Sequence, residues 1–347
     1  MQNPWIRPAT PDDAAELAEL FWRVRSEAVP DIPMVVHRRE SVLPFVRNVL
    51  LAEFEVHVAQ ADGRLVGFIA LMPPDLVGHL YIDSAHTGKG LGSRFLGLAR
   101  TRFPHGLQLY AFQSNRRAIR FYERHGFEQV AWSEDDNEEG APDVLLRWGP
   151  RVAGTVAAYD RDARTYAAGL GELTPHLVAL LDRFAAALPR PAHVLEVGSG
   201  PGRDADALEA RGIRVRRTDI ARGFVDLVRA QGHEADVLDP LHDDLGGPYD
   251  GVYASASLLH VPREDLGTVL RRLGEATVPG GTLHLDVKEG DGDGWSTHGH
   301  VSAPRHFTYW REGPLRAELA GAGWSVVHLG HTTGGRDDWI DVLARRD

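Results

Sequence analysis

Two glycine clusters constrain this chain more than any other feature. "HTGKGLGSRF" (residues 86–95) and "VLEVGSGPGRDADAL" (194–208) each sit between a strand-like run and a helix-like run. A glycine turn that opens a helix leaves backbone N–H groups unpaired at the helix N-terminus, where the polar end of a ligand can approach. Two such loops of different spacing suggest two ligands. The length of 347 residues agrees, because it exceeds what one core usually supports.

Composition narrows the chemistry. There is no cysteine, which removes disulfides, thiolate metal sites and a Cys nucleophile. No apolar run is long enough for a membrane span, and "MQNPWIRPATPDDA" does not read as a signal peptide, so a cytoplasmic location is expected. Residues 1–150 carry 16 basic and 20 acidic side chains, and the rest carry 22 and 29. Neither half has the basic footprint of a nucleic-acid binder, and nothing points to a membrane partner. The only lysines, Lys89 and Lys288, fall beside suspected sites.

The first half reads as one α+β unit. Thr10, Pro11 and Asp13 announce a capped helix, "EVHVAQADGRLVGFIALM" a hairpin about Asp62-Gly63, and "LVGHLYID" a strand entering the first loop. "NRRAIRFYERHG" is a helix stopped by Gly126, "DVLLRWG" a last strand, and the acidic "EDDNEEGAPD" a solvated loop, with a substrate lid as the alternative. A joint, "WGPRVAG", follows. Beyond it "HVLEVG", "IRVRRTD", "YDGVYAS" and "TLHLDV" alternate with helical stretches, which predicts a parallel doubly wound sheet. "WSVVHLG" and "WIDVLAR" predict a terminal antiparallel pair. The boundary is placed between domains 1–149 and 150–347.

The first loop does not fit the Walker pattern, since Lys89 precedes the last glycines. Strand, Thr87-x-x-Gly90-x-Gly92, helix resembles the acyl-CoA loop of the Gcn5-related N-acetyltransferases (GNAT). That family carries Arg or Gln where this chain has Thr87. The later "FQSNRRAIRFYERHGFEQV" resembles the family's second motif, and the likeness spans residues 4–148. It implies that acetyl-CoA or another acyl-CoA is held at Ile82, Thr87, Gly88, Lys89, Gly90, Leu91, Gly92 and Ser93. It further implies that Asn115 touches the CoA arm and Tyr122 protonates the departing thiolate. His79 is the candidate base, with Glu55 and Asp143 as alternatives.

The second loop, Gly198-x-Gly200-x-Gly202, is not the NAD fingerprint. With Glu196 before it, Asp219 ending the next strand and "EADVLDP" beyond, it resembles the class I S-adenosylmethionine (SAM)-dependent methyltransferases over residues 158–346. The resemblance implies a mixed-sheet GNAT α+β fold followed by a Rossmann-like α/β methyltransferase sheet. It implies SAM contacts at Glu196, Gly198, Ser199, Gly200, Gly202, Asp219, Ile220, Asp236, Val237, Ser255 and Leu258. Asp219 would accept the ribose hydroxyls, with Asp236 and Val237 against the adenine. Tyr159 and Tyr166 are candidates for the acceptor pocket, and Lys288, Glu289, His306, Tyr309 and Trp310 for its mouth. His260 would orient the acceptor or act as base.

The expectation is a bifunctional enzyme, monomer or homodimer, that acylates an amine and methylates N or O of a small-molecule metabolite, as in specialised biosynthesis. A resistance or peptide-modifying acetyltransferase is one alternative. The other is a chain in which one half serves only as cofactor sensor or scaffold.

Overall fold

The computed structural model describes residues 4–33, 36–104, 106–333 and 336–347, and it divides into two units, Met1–Pro150 and Arg151–Asp347. In the first, β1 (Trp5–Pro8) leads to α1 (Ala14–Glu27). The entry is held by Asp13, whose carboxylate accepts the Thr10 backbone N–H at 2.7 Å and both Arg7 terminal nitrogens at 2.7 Å. Short helices α2 (Arg39–Phe45) and α3 (Leu51–Glu53) precede the hairpin β2 (Glu55–Ala61) and β3 (Arg64–Met72). Then come β4 (Leu76–Ile82), α4 (Leu91–Arg102), β5 (Leu107–Phe112), α5 (Arg116–Arg124), β6 (Glu128–Ser133) and β7 (Asp143–Trp148).

These strands form one sheet in the order β1-β2-β3-β4-β5-β7-β6. Every neighbour is antiparallel except β4 and β5, which run parallel and pair only at Leu76 and Gln108, near their starts. The two strands therefore separate toward their C-terminal ends. The first glycine loop follows β4 and Asn115 follows β5, so both flank that gap. One face of the sheet packs Phe95, Leu96, Tyr122 and Phe127 from α4, α5 and the turn after it; the other packs Leu17, Leu20 and Phe21 from α1. The acidic run is largely exposed, as expected of a solvated loop, and is tied down at one point, where Glu139 pairs with the buried Arg25 of α1.

The second unit opens with α6 (Arg151–Gly169) and α7 (Pro175–Ala186). It continues through β8 (Ala192–Val197), α8 (Arg203–Glu209), β9 (Ile213–Asp219), α9 (Arg222–Ala230), β10 (Ala235–Val237), β11 (Tyr249–Ala254), α10 (Arg263–Glu275) and β12 (Thr277–Lys288). The chain closes with β13 (Asp293–Ser296), β14 (Arg305–Thr308), α11 (Glu312–Gly321), β15 (Trp324–Thr333) and β16 (Asp338–Arg346). The sheet order is β10-β9-β8-β11-β12-β16-β15, with β16 antiparallel to both neighbours and the other pairs parallel. The order reverses between β8 and β11, and open sheets of this kind bind ligands beyond the carboxyl ends of the strands at that point. The second glycine loop leaves β8 there.

Two local readings are corrected. "RVAG" is the first turn of α6, not part of a joint: Gly154 and Thr155 are buried on it, and Thr155 Oγ1 accepts the His306 N–H at 2.9 Å. Packing against β14 overrides the poor helix propensity of glycine. The segment after β12 folds into the β13–β14 pair, with Asp293 opposite Thr308 and Ser296 opposite Arg305. No described helix is long and apolar enough to cross a membrane.

Candidate active sites

In the first unit, β4 ends at Ile82 and Asp83 Oδ1 accepts the Ala85 N–H at 3.0 Å, turning the chain into the loop. Gly90 caps α4 with φ +82°, a left-handed conformation that suits glycine, and no side chain caps the helix start. The amides of Leu91, Gly92 and Ser93 thus open α4 without a side-chain acceptor. A Cβ on Gly92 would lie 2.9 Å from the Phe121 ring, so that glycine lets α5 close on the first turn of α4. Ile82 is half-buried beneath the same turn. Thr87 Oγ1 donates to the Ser84 carbonyl at 2.9 Å, Lys89 Nζ to the Ala85 carbonyl at 2.7 Å, and Ser93 Oγ shares a hydrogen bond with His125 Nε2 at 2.9 Å.

Asn115 is the N-cap of α5, its Oδ1 accepting the Ala118 N–H at 3.0 Å, which leaves the Nδ2 end as the part able to serve a ligand. Tyr122 is buried between Phe121 and Phe127, with ring centroids at 5.2 and 5.5 Å. Burial raises its phenol, which keeps the proton in place for donation. His79 lies among the rings of Phe21, Phe45, Phe54, Phe68 and Tyr81. Burial, with the Arg25 charge second, lowers it to about 4, so it is neutral near neutral pH but a weak proton acceptor. Of the alternatives, Glu55 is held ionised by Arg102 and His57, whereas burial raises the Asp143 carboxyl despite a hydrogen bond from Asn137.

In the second unit the loop after β8 is stitched from below. The Gly198 and Ser199 N–H groups both donate to the Thr218 carbonyl at 2.9 Å. Ser199 Oγ donates to the buried Glu196 and accepts the Thr218 N–H at 3.1 Å. Burial raises Glu196 to about 8 against that hydrogen bond. Asp219 accepts the Gly200 N–H at 2.9 Å and the Ala221 N–H at 2.8 Å; burial nevertheless raises it to about 6.

A cavity of about 150 Å³ lies over this loop. Gly198, Ser199, Gly200, Asp219 and Ile220 line one side, Tyr159, Tyr166 and Phe224 roof it from α6 and α9, and Ser255, Ala256, Ser257 and His260 close the end beyond β11. His260 Nδ1 lies 2.7 Å from the His306 carbonyl and must carry its proton there. Its Nε2, 2.9 Å from the Tyr159 oxygen, is then the acceptor and Tyr159 O–H the donor. Burial lowers His260 to about 3 and pushes Tyr159 up to about 12. His260 therefore holds Tyr159 in place and is poorly suited to keep a proton taken from an acceptor.

Several predicted residues lie elsewhere. Trp310 is 1% exposed in the core, and Lys288 is buried, 2.8 Å from Asp337 and 4.0 Å from the Phe307 ring. Tyr309 and Glu289 are also absent from the cavity wall, and His306 reaches the site through its carbonyl. The β13–β14 turn draws this segment onto α6 instead of leaving it at a mouth. Leu258 is core, 1% exposed, and Gly202 caps α8 below the wall. Asp236 and Val237 are exposed at the end of β10, Val237 opposite Asp219 and Asp236 paired with Arg216 at 3.0 Å. The sequence reading missed Ser257, whose Oγ is buried at the cavity without a hydrogen-bond partner. A Cβ on Gly198 would stand 2.3 Å from the Ser257 Cβ, so the two close on one another. A serine two residues past Ser255 was the available signal.

The first unit thus has an acyl-CoA-type glycine loop beside a splayed sheet, and the second a SAM-type loop at a topological switch point. The profile of the acetyltransferase (GNAT) domain matches residues 52–129, and that of the methyltransferase domain matches residues 162–329. The chain is 31% identical to the peptidyl-lysine N-acetyltransferase YiaC of Escherichia coli over 145 residues, covering 41% of this chain and 95% of that one. It is 32% identical to a ubiquinone biosynthesis O-methyltransferase of Xanthomonas campestris over 116 residues, 31% of this chain and 48% of the relative, about half its length. A solved structure with similarity is the 1,6-didemethyltoxoflavin-N1-methyltransferase of Burkholderia thailandensis, at 21% identity, TM-score 0.46, and coverage of 63% of this chain and 94% of that one. The chain belongs to the GNAT acetyltransferase family through its first unit and carries a methyltransferase domain in its second. It joins two transferase domains in one chain.

Both loops fit the cofactors their families use. Gly88 and Gly90 have open space where a Cβ would stand, and α4 starts uncapped. At the second loop an orphaned Ser257 hydroxyl and the Asp219 carboxylate border a cavity closed on several sides.

Proposed function

We propose that the protein acylates an amine from acyl-CoA and methylates N or O of a small-molecule acceptor from SAM, as two tailoring steps on a specialised metabolite in the cytoplasm. The observation that carries the small-acceptor reading is the aromatic roof of Tyr159, Tyr166 and Phe224 over the second loop. An enclosed site of that kind suits a compact, partly apolar acceptor better than a polymer. The net charge of −11 argues against nucleic acid and favours a cationic acceptor.

Acyl-CoA supplies an activated acyl group and SAM an electrophilic methyl group. The residues then divide the remaining work. In the first unit the amides of residues 88–93 hold the donor, and Tyr122, kept protonated by burial, returns a proton to the leaving sulfur. Asp143, buried and raised by that burial above the usual carboxylate range, stands beside His79 as a candidate to take the acceptor's proton. In the second unit Ser257 and Asp219 hold the cofactor, and Glu196 fixes the loop from below through Ser199. Tyr159, its O–H given to His260, offers lone pairs to an N–H or O–H of the acceptor. Methyl transfer then rests mainly on alignment.

A second reading of the first unit, acetylation of a peptide lysine, is favoured by the YiaC relative, which the chain covers almost end to end. One experiment separates them. The full chain is incubated with both donors and a panel of amines, phenols and lysine peptides, and products are read by mass spectrometry. Small acceptors gaining an acetyl and a methyl group support the first reading; acetylated peptide alone supports the second. Tyr122→Phe is expected to slow the acetyl step at least about 100-fold and leave the methyl step unchanged. Failure of every acceptor with either donor would sink both readings.

A further inference from the structure

We propose that Arg117 is the cation of the first glycine loop, binding the pyrophosphate of acyl-CoA in the part that Thr87 leaves open. The inference rests on the acetyltransferase reading of this unit.

The loop brings little positive charge of its own to the ligand. Thr87 stands where the resembled family has Arg or Gln, and Lys89 Nζ is turned back onto the Ala85 carbonyl at 2.7 Å. The facing helix supplies what is missing. The Phe121 ring rests on Gly92, which fixes α5 against the first turn of α4. Arg117 lies four residues before Phe121, one turn back on the same face of α5, and so reaches the loop. Its Nη2 donates to Thr87 Oγ1 at 3.2 Å. The Thr87 hydroxyl gives its own proton to the Ser84 carbonyl at 2.9 Å, so its oxygen is free to accept from Arg117. A guanidinium carries five donors, and this bond orients it without exhausting it.

A diphosphate at the uncapped start of α4 would thus meet backbone amides from the loop and a planar cation from α5. Arginine suits the task because its fork matches two phosphate oxygens at once. The cation is thus supplied by the helix that closes on the loop.

The test is calorimetric titration of the full chain with CoA and with 3′-dephospho-CoA, which share the pyrophosphate and differ in one phosphate. Arg117→Ala is expected to weaken both ligands by the same factor, about tenfold, as loss of one charged hydrogen-bonding partner does. Arg117→Lys should lose less, and Thr87→Arg in the Arg117→Ala background should regain affinity, because it restores a guanidinium to the loop. An unchanged thermal transition and unchanged SAM affinity show that the variants remain folded. Equal affinity of Arg117→Ala and the wild-type chain overturns the proposal. So does a loss confined to CoA, which would assign Arg117 to the 3′-phosphate. Binding of neither ligand by the wild-type chain overturns the acetyltransferase reading itself.

Discussion

Glu196 shows how one buried group sets a pH dependence. Its carboxyl is 2% exposed, receives the Ser199 hydroxyl, and is raised by burial from 4.5 to about 8. Between those pH values the folded chain holds a proton that the unfolded chain has released. Stability of the second unit therefore falls as pH rises from about 4.5 to about 8 and levels off above it. Glutamine cannot ionise yet still accepts the Ser199 hydrogen bond. Glu196→Gln is expected to flatten this loss, gaining on the order of a few kcal/mol at pH 8. Chemical denaturation at a series of pH values checks it, and parallel curves for both proteins would refute it. Tyr159 and His260 make the complementary point. They lie 101 residues apart, and only their meeting at 2.9 Å defines which donates and which accepts.

At the scale of elements, the loops work because strand, turn and helix leave little slack. Gly198 has φ +78°, and any Cβ there would press on Ser257. Gly198→Ala would therefore push the segment after β11 away from the loop as well as strain the backbone. The expected outcome is loss of SAM binding by calorimetry with acetyl-CoA binding intact in the same chain; retained SAM affinity would show that the close approach is dispensable. Element order was largely legible in the residues: the hairpin at Asp62-Gly63, the alternating second half and the terminal pair β15–β16 follow from turn chemistry and periodicity. The β13–β14 pair was not, because "DGWS" and "RHFT" are too short and too polar to announce strands. Their pairing depends on packing against α6.

For the whole molecule, each unit has hydrophobic clusters drawn from its own residues. A ligand that binds one folded unit stabilises that unit by mass action, about 2.7 kcal/mol at a hundredfold excess over Kd. Differential scanning calorimetry should resolve two transitions, with acetyl-CoA raising only one Tm and SAM only the other. A single transition shifted equally by both ligands would show that the units unfold together.

Local chemistry in the sequence was enough to determine the two glycine loops and the helices they open, and the motifs around them carried the resemblance to two transferase families. Turn geometry and helix starts depend on neighbouring residues, and those are read directly along a chain. Tertiary structure alone decided which side chains stand at each loop. It placed Arg117 on Thr87 and the Ser257 hydroxyl beside Gly198, and it drew Trp310 and Lys288 into the interior. Such encounters are set by how helices and strands distant in sequence pack across a sheet. A residue's own neighbours in the chain do not carry that information.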